Sequence, residues 1–165
     1  MNELLKLRII RNSLNIYKNY RDVYKRQGLY GNFYLQPNGV FFIDTCMYAG
    51  IVSTNKVTQE LLNSMKYATQ SGPLVVMDNI INSNFKDGSV NVNIRSGVGI
   101  NDKGNLVFAI SNEKINFYDF AAFFKYNLKC SNALYLDGAI SESYIPELGR
   151  RQNGGAFGPI IGVIK

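Results

Sequence analysis

The chain has 165 residues, 46% of them hydrophobic and 18% charged, which suits one compact domain with a real core and is too short for two ordinary ones. It contains no histidine, and that excludes Ser-His-Asp and Cys-His machinery, imidazole-based zinc sites and a histidine general base. The net charge of +6 sits at the start: residues 1–27 hold seven Lys or Arg against Glu3 and Asp22, while the rest holds eleven basic against ten acidic residues, so the body lacks the surplus that nucleic-acid binding requires.

Residues 1–27 contain neither glycine nor proline and read as a polar helix, with Leu4, Leu5, Leu7, Ile9 and Ile10 near its start. "MNELLKLRII" mixes charge with hydrophobes and shows no clean apolar core or cleavage site of a secretory signal. No apolar run in the chain approaches the ~18 residues of a membrane span. All fifteen glycines lie at position 28 or later, where the texture changes to short β-rich runs punctuated by turns.

"NFYL" leads into Pro37-Asn38-Gly39 and then "VFFI", and Asn-Gly predicts a hairpin joining the two runs. From about Asn55 to Tyr67, Val57, Leu61, Leu62 and Met65 fall at helical spacing and predict a short helix. "PLVVMDN" reads as a buried strand, and the alternation in "VNVNIRSGVGI" predicts a half-exposed one. A second hairpin, "VGINDKGNLVFAIS", turns at Asp102-Lys103-Gly104. The clearest helix is "NFYDFAAFFKYNLK", with Asn116 as cap, Asp119 as the acid three residues on, and Phe117, Phe120, Ala121, Phe124 and Leu128 on one inward stripe. Cys130-Ser131-Asn132 closes it, and "ALYL" enters as a strand. The order predicts an α+β domain with a mixed, mostly antiparallel sheet and one or two packed helices.

Cys46 and Cys130 lack metal-ligand spacing; a single disulfide and two buried free thiols are both open, and no metal site is expected. Gly97 and Gly99 fall short of a dinucleotide fingerprint, because no third, helix-opening glycine follows. Asp102 and Asp119 are explained by a turn and a helix start. Asp137-Gly138, after "ALYL", fits two readings: a carboxylate carried to the floor of a cleft, or a strand ending in a tight turn.

The runs "GNFYLQPNGVFFI", "YATQSGPLVV", "RSGVGINDKGNLVFAIS", "INFYDFAAFF" and "NALYLDGAIS", in that order and spacing, resemble the phosphodiester glycosidase family, with the nearer likeness to its bacterial branch. The resemblance covers most of residues 28–165 and implies a hydrolase that cleaves the glycosidic bond of a sugar-1-phosphodiester. Its implied partner is a sugar phosphodiester or glycan, with no cofactor. Family members are commonly exported, which leaves this chain's localisation open. The alternative is a noncatalytic glycan-binding or envelope-associated module on the same scaffold.

By the same resemblance, Arg95 matches the arginine opening the family's R-x-x-x-G strand, and its planar fork suits a pair of phosphate oxygens. Asp137 and Gly138 match the Asp-Gly at a strand end, where the carboxylate would activate water or stabilise cationic character at the sugar. Ser141 matches the serine of the glycine-rich continuation, although Ala139 and Ile140 replace the further glycines. Gln70, Ser71 and Gly72 match "QSGP", and Asn32 follows Gly31 in "GNFYL" as a further substrate contact. The family's glycine-rich segment upstream of "GNFYL" has no counterpart in residues 1–27, which end in "DVYKRQ", similar to translated adapter sequence. The expectation is therefore of a basic, non-family segment 1–27, misjoined to a phosphodiester glycosidase-like domain 28–165 that is incomplete at its N-terminus.

Overall fold

The computed structural model describes residues 7–8, 14–16, 35–137, 143–146, 149–151 and 161–163. Thirteen strands and two helices are defined there. They run β1 (Leu7–Arg8), β2 (Leu14–Ile16), β3 (Gly39–Asp44), β4 (Ala49–Ser53), α1 (Gln59–Ser64), β5 (Met65–Ser71), β6 (Leu74–Met77) and β7 (Ile80–Ile81). After these come β8 (Ser96–Asn101), β9 (Leu106–Ile110), α2 (Phe117–Ala122) with a π turn over Phe123–Asn127, β10 (Cys130–Asp137), β11 (Tyr144–Ile145), β12 (Arg150–Arg151) and β13 (Ile161–Val163). A six-stranded sheet is ordered β1-β9-β8-β10-β6-β7, a three-stranded one β4-β3-β5, and β11-β12 and β13-β2 form two-stranded pairs. Every ladder among the described residues is antiparallel. The α+β class expected from sequence is the class found.

Strand alternation sorts the side chains into layers. Phe41 and Ile43 of β3 turn inward and pack on Leu74, Val98, Leu106 and Leu134 of the large sheet. Val40 points the other way, against Met65, Leu61 and Leu62, so α1 covers the outer face of the small sheet. The opposite face of the large sheet carries Val75, Val107, Ala109, Ala133 and Tyr135 against Phe117, Phe120 and Phe124 of the α2 segment. The phenylalanine stripe is therefore core, as its spacing requires. Glycine makes this contact possible. A Cβ on Gly99 would meet Cys130 Sγ at 2.6 Å and Phe124 Cδ1 at 2.8 Å, and one on Gly97 would meet the Leu134 carbonyl oxygen at 2.9 Å.

The α2 cap forms as expected: Asn116 Oδ1 accepts from the Asp119 amide at 2.8 Å, and Asn116 Nδ2 donates to Asp119 Oδ2 at 2.8 Å. The β8–β9 hairpin also forms, with Gly104 at φ +71° and Asn101 Oδ1 accepting from the amides of Lys103 and Asn105. The closing turn after α2 is Lys129, at φ +56°, so β10 already begins at Cys130 rather than at Ala133.

Four expectations need correction. Both edges of β3 are taken, by β4 and β5, so "VFFI" turns forward through Asp44, whose Oδ1 accepts from the Tyr48 amide at 2.8 Å, while Asn32, Phe33 and Tyr34 of "NFYL" lie outside the described residues. The helix expected to Tyr67 stops at Ser64, because Met65, Tyr67 and Thr69 join β5 against β3, and tertiary pairing overrides the helical spacing. Val90 and Val92 alternate but lie outside any strand and are exposed; only Asn93 bridges, to Ile115. Both cysteines are free, but Cys46 is exposed and only Cys130 is buried. The helix expected over residues 1–27 falls largely outside the described residues; Leu7–Arg8 and Leu14–Ile16 within it are strands.

Candidate active site

The C-terminal end of β10 gathers several of the residues singled out from sequence. Asp137 closes the strand and pairs in register with Ser96, the first residue of β8, with a shift of register between Tyr135 and Asp137. Arg95 immediately precedes Ser96. From the other side, Ser71 Oγ donates to the Leu136 carbonyl at 3.0 Å, and the Tyr135 amide donates to the Pro73 carbonyl at 3.0 Å. Three separate sequence motifs, around Arg95, Ser71-Gly72 and Asp137, thus meet at one end of the large sheet.

Arg95 is the largest fully buried side chain among the described residues, 1% exposed. Its backbone is fixed by Ser111, whose Oγ accepts from the Arg95 amide at 2.9 Å and whose amide donates to the Arg95 carbonyl at 2.8 Å. Its Nε donates to the Ile115 carbonyl at 2.7 Å and its Nη2 to the Asn91 carbonyl at 3.0 Å. The guanidinium lies 3.5 Å from the centre of the Phe117 ring and 5.8 Å from that of Tyr135. Phe85 stacks on Phe117 at 4.9 Å, and Tyr135 meets Phe117 edge-on at 5.0 Å. Burial lowers the pKa of Arg95, and the Tyr135 phenol, charge and hydrogen bond together, opposes that shift. The group stays protonated at any ordinary pH. No carboxylate among the described side chains forms an ion pair with it. A positive charge set in a low-dielectric interior favours an anion placed at this end of the sheet.

Ser71 is buried, and its hydroxyl proton is used on the strand that ends in Asp137. Gly72 is required where it is, because a Cβ there would overlap Asn38 Oδ1. Gln70, next to Ser71 on β5, faces the other way: its Nε2 donates to Thr54 Oγ1 at 3.2 Å, and its Oε1 is buried with no hydrogen-bond partner. Gln70 is therefore not brought to the β10 end by its strand position. Gly138, Ser141 and Asn32 lie outside the described residues, and of Asp137 only the backbone is described. Sequence reasoning passed over Ser111, which fixes the Arg95 backbone, and Tyr135 and Asn91, which lie beside its guanidinium. The one signal available was Tyr135, an aromatic two residues before Asp-Gly on the same strand.

No helix among the described residues is long and apolar enough to cross a membrane. No cluster of three or more metal-ligating side chains occurs among them either.

The sequence pattern of the phosphodiester glycosidase family matches residues 8–159. The chain belongs to the phosphodiester glycosidase family. It is 40% identical over 117 residues to the uncharacterized protein YigE of Escherichia coli strain K12, covering 70% of this chain and 44% of that protein, so it spans less than half the length of that relative. Among solved structures it resembles the zebrafish N-acetylglucosamine-1-phosphodiester alpha-N-acetylglucosaminidase catalytic domain, auto-inhibited by its pro-peptide, at a TM-score of 0.47 and 21% identity over 67% of this chain and 42% of that one. A hypothetical protein from Synechocystis resembles it at a TM-score of 0.39 and 17% identity, over 63% of this chain and 28% of that one.

Proposed function

We propose that this member of the family hydrolyses the glycosidic bond of a sugar-1-phosphodiester, with the reaction at the C-terminal end of β10. The observation that carries the reading is the convergence of the Asp137 backbone, the Ser71-Gly72 segment and the buried charge of Arg95 at that end. In the proposed reaction a water oxygen bonds to the anomeric carbon while the bond from that carbon to the phosphate oxygen breaks. The phosphomonoester leaves with the electron pair, and the proton of the attacking water passes to base. Because the leaving group is already a phosphate, a strong general acid is dispensable, and a chain without histidine is suited to that task. Asp137 takes the role at the sugar, activating water or stabilising positive character as the bond breaks. Arg95 supplies the positive charge for the phosphodiester, and Ser71, Gly72, Gly138, Ser141 and Asn32 are the candidate contacts to the rest of the substrate.

The purified chain incubated with a methyl phosphodiester of N-acetylglucosamine should release reducing sugar, and Asp137→Asn should cut that release by about a hundredfold or more while substrate still binds. A cooperatively melting chain that binds the compound without releasing sugar would instead identify a noncatalytic glycan-binding module. Release unchanged in Asp137→Asn would remove the aspartate from the mechanism.

A further inference from the structure

The segment between β7 and β8, residues 82–95, forms no regular element beyond the single bridge at Asn93, a length at which connections usually carry function. β7 lies at one edge of the large sheet, and β6 and β10 stand between it and β8, so this segment passes the ends of both strands to reach Arg95. It is fastened at each side. At the start, Asn82 Nδ2 donates to the carbonyls of Leu74 (2.9 Å) and Gln36 (3.1 Å), and Phe85 stacks on Phe117. At its end, Asn93 and Ile115 exchange backbone hydrogen bonds, and Arg95, which also lies over the Phe117 ring, donates to the Asn91 carbonyl.

The run from Lys86 to Asn93 is mostly exposed and carries no net charge, and its last residues, Asn91 and Asn93, also form the end fastening through their backbones. Lys86 and Asp87 cancel in charge; beyond them come Val90 (94% exposed), Asn91, Val92 and Asn93. Asn93 Nδ2 donates to Asn91 Oδ1 at 3.0 Å, which sets the two carboxamides relative to each other. Small aliphatic surface beside oriented carboxamides, without net charge, matches a neutral pyranose, with its apolar C–H faces and hydroxyl rim, and not an anion. The position matches too, since Asn91 is one hydrogen bond from the arginine whose neighbour Ser96 pairs with Asp137.

We infer that residues 82–95 are a fastened strap whose tip, Val90–Asn93, binds the neutral carbohydrate part of the ligand, with Phe85 and Arg95 as positioning residues that hold it. The inference rests on the proposed sugar-phosphodiester site and adds the surface that selects the sugar. Two measurements with the methyl phosphodiester of N-acetylglucosamine test it. The exposed double substitution Val90→Ser with Val92→Ser should raise KM about five- to tenfold and leave kcat and the melting temperature unchanged. Hydrogen exchange on Asp137→Asn should show the amides of 86–93 protected at saturating ligand. Sugar release with unchanged KM and an unprotected strap overturns this inference alone. Protection without any sugar release keeps the strap as a glycan site and overturns only the hydrolytic reading. Neither release nor protection overturns both.

Discussion

The two ends of the large sheet are built by different means. At the end where β10 begins, the chain reverses three times in short turns, at Asp78-Asn79, Asp102–Gly104 and Lys129, and several of these residues take the positive φ that such reversals demand. Asn101 caps its own turn, while the Asp102 and Asn79 amides reach across to the carbonyls of Lys129 and Ser131, so the turns brace one another through main-chain bonds. At the end where β10 finishes, the bonds join residues far apart in sequence: Ser71 to Leu136, Arg95 to Ile115 and Asn82 to Gln36. One end closes the fold with short turns braced against one another. The other uses buried polar groups to gather distant segments, which is costly unless each group is satisfied and is the arrangement a site requires.

The contrast can be broken by comparing substitutions at the two ends. The largest effect belongs to Arg95→Ala, which deprives two carbonyls of charged donors and removes the guanidinium from the Phe117 ring; a loss of about 3 kcal/mol in urea unfolding is expected. A loss below about 1 kcal/mol would mean that this end is not held by the guanidinium. At the other end lies Cys130, whose thiol is pushed up to about 12 by burial, with the Asp102 charge adding to the shift. Its folded pKa is above the unfolded value, so the contribution is complete below about pH 9 and is lost as pH rises toward 12. Stability should therefore fall by about 1.4 kcal/mol per pH unit across that window beyond any fall seen in Cys130→Ala. Parallel slopes for the two proteins would refute the shift. Asn101→Ala, which strips the turn of its two side-chain acceptor bonds, should cost about 1 kcal/mol by the same unfolding measurement. Smallest of all, Lys56→Ala removes an exposed ion pair with Asp78 at 3.6 Å and should change stability by less than about 0.5 kcal/mol.

The same contrast explains what could be read beforehand. Asn116 with Asp119, Asp102 with Gly104, and the phenylalanine stripe are local patterns with one physical outcome, and each was legible. β5 was not, because Leu61, Leu62 and Met65 fit a helix until β3 claims Met65–Ser71 as a neighbour. Val90 and Val92 alternate like a strand, yet no strand among the described residues pairs with them, and only the path of the whole connection explains their exposure. Asp78-Asn79 was absorbed into the strand reading of "PLVVMDN", although both residues turn to positive φ. At the candidate site the resemblance singled out Arg95 and Asp137, and the pairing of Ser96 with Asp137 brings their backbones to one end of the sheet. The burial of Arg95 and the opposite facing of Gln70 were not legible, since both depend on contacts across more than ten residues of sequence.

Gly97 and Gly99 leave β8 without side chains toward α2, so the aromatic rings of the helix lie directly on the strand's peptide groups. Neither partner can be exchanged singly. A helix with slimmer residues would open a trench over bare backbone, and a strand with ordinary residues would lift the helix away. Transplanting this layer into another scaffold would require moving "RSGVGI" and "NFYDFAAFF" as one interlocked unit.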